Sequence, residues 1–130
     1  MKLFLDDIRH PEDCLTYMHL RIGVLNPIYL KEWLIVRNFE QFKKAVVMNH
    51  KYITHVSFDH DLGEDIAIEE IKLGSSKRQA KRNKKDIKSG YDCAVWFKEF
   101  YLKNELKQPV LFVHSMNPIG TENIINLFKS

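Results

Sequence analysis

His55-Val56-Ser57-Phe58, followed at once by Asp59-His60-Asp61-Leu62-Gly63, is the stretch whose reading decides the fold. The run before Asp59 is too short for a helix and lacks the polar alternation of a half-exposed strand. It therefore reads as a strand covered on both faces, the kind found in parallel sheets. Working outward, Leu3-Phe4-Leu5, Trp33 to Val36 and Val110 to Val113 have the same character. Helix-length amphipathic segments separate or follow them. Phe39 to Asn49 places Phe39, Phe42 and Val46 at helical spacing behind Asn38 as N-cap, with Gln41 three residues later. Tyr91 to Asn104 carries a stripe of Tyr91, Ala94, Phe97 and Tyr101, with Pro109 beyond its end. Asn117-Pro118 opens a last helix expected to bury Ile124, Ile125 and Phe128. The alternation predicts an α/β fold with four strands in a mainly parallel sheet flanked by helices.

Two segments resist this pattern. Pro11 to Lys31 is broken by Pro27 and offers at most a turn or two of helix over Cys14 to Leu20. Glu64 to Ser89 runs acidic, then apolar, then basic, and reads as a charged insertion between the third strand and the next helix. Between Ser75 and Gly90 seven basic residues face one acid, leaving 13 basic and 16 acidic residues elsewhere. The net charge of +3 is thus the sum of a basic arm and a mildly acidic body. Such an arm attracts phosphates without sequence specificity, which predicts weak nucleic-acid contact through Lys77 to Lys88. No aromatic residue within it can stack on a base, and a solvated surface is the competing reading.

At 130 residues the chain fits one domain spanning 1–130, and its 45% hydrophobic content suffices for a core, which disfavours disorder. No apolar run reaches the roughly 18–20 residues of a membrane span, and no secretory leader is expected. Two cysteines, Cys14 and Cys93, make neither a disulfide framework nor a zinc site and suit buried thiols in the cytoplasm.

In parallel α/β sheets ligands bind beyond the carboxyl ends of the strands. Three of the four runs end in polar constellations there: Asp6-Asp7 with Arg9, Asp59-His60-Asp61, and His114-Ser115 with Asn117. Asp6, Asp7, Asp59 and Asp61 gathered at one sheet edge would repel unless a cation neutralised them, and hard oxygen donors suit Mg²⁺ or Mn²⁺. His60 and His114 are candidates for proton transfer near neutral pH. Arg9 can clamp a phosphate, while Ser115, Asn117 and the turn that follows can cradle an anion at a helix N-terminus. Each residue also has a bland reading: a turn or cap for an aspartate or Asn117, a satisfied structural histidine, a surface arginine. The coincidence of all three tips is what favours a site.

Aspartates after the first and third strands and a small hydroxyl residue after the fourth resemble the receiver domains of bacterial response regulators, with their three-layer sandwich. The similarity is closer to cyclic-phosphate-processing receiver domains. It rests on Leu5-Asp6-Asp7-Ile8-Arg9-His10-Pro11, on Ser57 to Gly63, on Gly90-Tyr91-Asp92 with Trp96, and on Val113 to Gly120. The resemblance implies that Asp6 and Asp7 are metal-side acids, that Asp59 is the counterpart of the receiver phosphoacceptor and that Ser115 is the counterpart of its switch hydroxyl. It also places Arg9, His60, Asp61, His114 and Asn117 in the active site. Receivers continue into a fifth strand bearing an essential lysine, whereas these residues end in the helix after Asn117, giving a truncated form. That departure argues against phosphotransfer signalling.

The function expected on these grounds is a metal-assisted phosphoesterase acting on a cyclic phosphate of a nucleotide or RNA end. The alternative is a receiver-like module that binds a nucleotide or phosphorylated ligand in signalling or defence without turning it over. A haloacid-dehalogenase-like phosphatase would need a second acid two positions after its nucleophile, and Asp6-Asp7-Ile8 lacks that spacing.

Overall fold

The computed structural model of the chain describes residues 1–15, 27–62, 88–115 and 117–129. Four strands, β1 (Lys2–Leu5), β2 (Leu34–Val36), β3 (His55–Phe58) and β4 (Val110–Val113), form one sheet in the order β2-β1-β3-β4. Every pairing is parallel, so the mainly parallel expectation becomes an all-parallel sheet. The register aligns Leu5 with Val36 on one side and Phe58 on the other, and Phe58 with Val113.

The helices α1 (Phe39–Asn49), α2 (Gly90–Lys103) and α3 (Pro118–Lys129) begin where local chemistry tells them to. Asn38 Oδ1 accepts from the Gln41 amide at 2.8 Å, capping α1 as expected, but Gln41 Oε1 reaches back to the Arg37 amide rather than to Asn38. Ser89 and Asp92 form a reciprocal capping box on α2. Asn117 Oδ1 accepts from Gly120 N at 2.9 Å, with Pro118 in the first helical position.

Strand side chains alternate between the two faces of the sheet. One face presents Leu3, Leu5, Val56 and Phe58 to a core built with Phe42, Val46, Ala94, Phe97 and Ile124 from the three helices. Phe97 sits among Phe42, Phe58, Tyr101 and Phe128, with its ring centroid 5.7 Å from that of Phe58. The opposite face presents Phe4 to a smaller cluster of Cys14, Tyr29 and Trp33, against which Ile35 and Phe112 pack. Tyr29 belongs to a short 3-10 turn, Pro27–Leu30, and Trp33 is pinned by its indole N–H donating to the Ile28 carbonyl at 3.1 Å.

Ile125, expected in the core, is 41% exposed, because the α3 stripe facing the sheet is centred on Ile124, with Phe128 only half-buried. The predicted turn of helix near Cys14 is visible as amides of Asp13, Cys14 and Leu15 bonding three residues back; its continuation to Leu20 lies outside the described residues. The charged insertion and the basic arm lie outside them as well, save Lys88 and Ser89. Both cysteines are free and buried, and burial followed by the charge of Asp92 pushes the Cys93 thiol up to about 12. Among the described residues no helix is long and apolar enough to cross a membrane.

Candidate active site

The sheet ladder runs one residue past the strands: Asp59 N donates to Leu5 O at 3.0 Å and His114 N to Phe58 O at 2.9 Å. Asp6, Asp59 and His114 therefore stand side by side on the tips of three adjacent strands. By the strand alternation they share the face of Phe4 and Ser57. Their ligand-capable atoms all lie within 4.8 Å of one another, and all three residues are buried.

The Asp6 carboxylate is the best-held group. Its Oδ1 accepts from the amides of Ile8 and Arg9 at 3.0 and 2.9 Å, and its Oδ2 lies 3.1 Å from His114 Nε2 and 3.9 Å from the Arg9 guanidinium. Burial works to raise its pKa, but the bonds from His114 and from the Arg9 and Ile8 backbone outweigh that and hold it below the usual carboxylate value. Arg37 braces the same loop, its guanidinium donating to the carbonyls of Asp6 and Arg9 at 3.1 and 2.6 Å.

Asp59 is the opposite case. Burial first, then the charges of Asp6 and Asp7, push its pKa up to about 8, with Arg9 only partly offsetting them. Its Oδ2 is buried without a hydrogen-bond partner among the described residues. Buried polar atoms are normally satisfied, so an orphaned oxygen beside a second carboxylate is what a cation-binding position looks like. Asp6 and Asp59 supply hard oxygen donors that fit Mg²⁺ or Mn²⁺, and His114 lies within 4.8 Å of both.

Among the other expected acids, Asp7 is buried beside this group and acts on Asp59 through its charge, but neither it nor Asp61 belongs to the compact set. Asp61 has a side chain 40% exposed and pairs with His60 Nδ1 at 2.9 Å.

The two histidines do not share an environment. His114 is wholly buried, stacks on Phe4 with centroids 4.2 Å apart, and places Nδ1 2.6 Å from Ser57 Oγ, which in turn lies 2.7 Å from the Tyr29 hydroxyl. Burial depresses its pKa below the ordinary imidazole value despite the neighbouring Asp6. His60 is part-exposed and its ring lies against Gly120 of α3, where a methyl group would collide with it. Gly90, at the start of α2, is held as closely: its amide donates to the His60 carbonyl at 2.6 Å, and a side chain there would strike the backbone of Asp59 and His60.

In the turn after β4, expected to cradle an anion, the amides of Asn117, Gly120 and Thr121 are bonded within the turn itself. Ser115 Oγ accepts from Asn117 N at 3.0 Å, and the Thr121 hydroxyl donates to the Ser115 carbonyl at 3.4 Å. Ser115 is buried and Asn117 half-buried, so Asn117 both caps α3 and borders the strand tips.

Three residues near the tips escaped the sequence reading. Arg37 follows the second apolar run and could have been found by the rule applied to the other three. Ser57 was visible as the polar residue inside an otherwise apolar strand. Tyr29, in a short turn with no periodicity, gave no signal.

No curated protein and no solved structure matches the chain. A family model does, that of the cyclic-phosphate processing receiver domain, over residues 1–130. With an all-parallel receiver-like sheet and acids at the tips of its first and third strands, the chain belongs to the cyclic-phosphate processing receiver domain family.

Proposed function

We propose that the domain is a metal-assisted phosphoesterase that opens a cyclic phosphodiester on a nucleotide or an RNA end. The observation that carries this reading is the buried trio of Asp6, Asp59 and His114, with an orphaned carboxylate oxygen on Asp59. Asp6 and Asp59 would hold Mg²⁺ or Mn²⁺, which when bound supplies Lewis-acid stabilisation of charge on a phosphoryl oxygen. Arg9, its guanidinium beside Asp6, would clamp a second phosphoryl oxygen, and the Ser115 hydroxyl and Asn117 side-chain N–H groups would bind the remaining charge.

Ring opening consumes one water: its oxygen joins phosphorus, the cyclic P–O bond breaks, and a proton reaches the departing ribose oxygen. His60, part-exposed and oriented by Asp61, is the histidine suited to exchange that proton. His114 is sealed from solvent with both ring nitrogens next to protein partners, so it suits holding Asp6 in place rather than direct acid or base work. The same burial favours the non-catalytic binding module to the extent that proton transfer then depends on His60 alone.

Phosphorus NMR on a panel of 2′,3′-cyclic and 3′,5′-cyclic nucleotides, with and without Mg²⁺, separates the readings. A new monoester resonance requiring the metal is the expected result, and His60→Ala should slow its appearance by at least about 10²-fold. A shifted parent resonance with no product would replace the enzyme by the module.

A further inference from the structure

Four buried polar side chains form a single file from the smaller core to the candidate site: Tyr29, Ser57, His114 and Asp6, none more than 3% exposed. The contacts along it are 2.7, 2.6 and 3.1 Å. Proton counting gives the file a direction. The Tyr29 hydroxyl has one proton, and among the described residues its one hydrogen-bond partner is Ser57 Oγ. If Ser57 donated to Tyr29, the phenolic proton would be buried with no acceptor among the described residues, which buried donors rarely tolerate. Tyr29 therefore donates to Ser57, and Ser57 spends its own proton on His114 Nδ1. That nitrogen must carry a lone pair, so the imidazole proton sits on Nε2 and points at Asp6 Oδ2.

We propose that Tyr29 and Ser57 are positioning residues that lock His114 in its Nε2–H tautomer and thereby fix the orientation of the Asp6 carboxylate toward Asp59. The ring has little freedom to escape this arrangement, stacked on Phe4 and met edge-on by Tyr29 at 6.3 Å between centroids. Asp6 is then held from two sides, by backbone amides on Oδ1 and by imidazole on Oδ2. Both lone-pair directions of Oδ1 are thereby taken, and Oδ2 keeps one for a ligand. The tautomer assignment follows from the file of hydrogen bonds alone, whereas its effect on turnover rests on the phosphoesterase reading.

Nitrogen-15 chemical shifts of the histidine rings, read through long-range proton correlations at pH 7 in the absence of metal, test it directly. His114 should show a pyrrole-type Nε2 and a pyridine-type Nδ1. Ser57→Ala should move the Nδ1 shift and mix the tautomers, Ser57→Thr should restore the wild-type pattern, and Tyr29→Phe, which keeps the packed ring, should perturb Nδ1 less than Ser57→Ala. A protonated Nδ1 in the wild-type protein would overturn the proposal, as would unchanged ring shifts in a folded Ser57→Ala variant. In the nucleotide assay Ser57→Ala should lower kcat by about 10–100-fold with KM little changed, and Ser57→Thr should recover it. A protein with the expected tautomer and no turnover of any nucleotide would remove the enzyme reading alone. Normal kcat in Ser57→Ala would remove the positioning role alone.

Discussion

Leu5, Phe58 and Val113 occupy one row across β1, β3 and β4, and Asp6, Asp59 and His114 occupy the next. The first row looks into hydrocarbon supplied by three helices; the second turns to the face where a tyrosine, a serine and a histidine are threaded between aromatic rings. A single step of the pleat thus separates what holds the domain together from what it presents to a ligand. The comparison teaches that substitutions on the two sides should fail in different ways, one set through stability and the other through charge and hydrogen bonding.

The largest effect is expected on the helical side. Phe97→Ala should lower unfolding stability by about 3–5 kcal/mol in urea titrations, because a fully buried ring leaves a hole its four aromatic neighbours fill only in part. The surviving folded fraction should keep its divalent-ion response; losing it would show the two sides to be one unit.

Gly120→Ala probes the seam. The added methyl would push into the His60 ring, at a cost of about 1–3 kcal/mol. The double variant with His60→Ala should recover most of that loss, since residues in contact are non-additive. Strict additivity would mean that the ring moves aside freely.

The third effect is one of pH on the polar row. Asp59 is raised from 3.8 to about 8, so between those values the native state keeps a proton that the unfolded chain has released. Metal-free stability should therefore fall as pH rises from about 4 to about 8, seen as a lower melting temperature at pH 8 than at pH 5. Mg²⁺ or Mn²⁺ should restore more at pH 8 than at pH 5. Asp59→Asn should flatten that slope and abolish the metal response; an unaltered slope would assign the proton elsewhere.

Much of this division was legible in the chain. β3 and β4 fall where the apolar runs predicted them, and acids directly after short apolar runs marked two of the three tips. Which face those tips serve was less visible. The alternation of Leu3, Phe4 and Leu5 is apolar throughout, so nothing in residue type separates the helix-covered row from the aromatic one. The different fates of His60 and His114 follow from that same parity. Each histidine comes soon after an apolar run, yet one is sealed beneath Tyr29 and the other rests on Gly120. Tyr29 was out of reach for another reason: it arrives from a turn with no period, 28 residues in sequence from the serine it meets.

The continuation of the ladder past the strand ends has a consequence for how such a site can change. Neighbouring strands repeat about every 4.7–4.9 Å, so the distance between donor groups on adjacent tips is inherited from the main chain rather than tuned by side chains. Exchanging aspartate for another short donor at any tip would alter affinity and charge while leaving the span untouched. Wider ligands would have to be accommodated by the connecting loops, which makes the tips a grip of fixed width and the loops the part of the site whose reach can change.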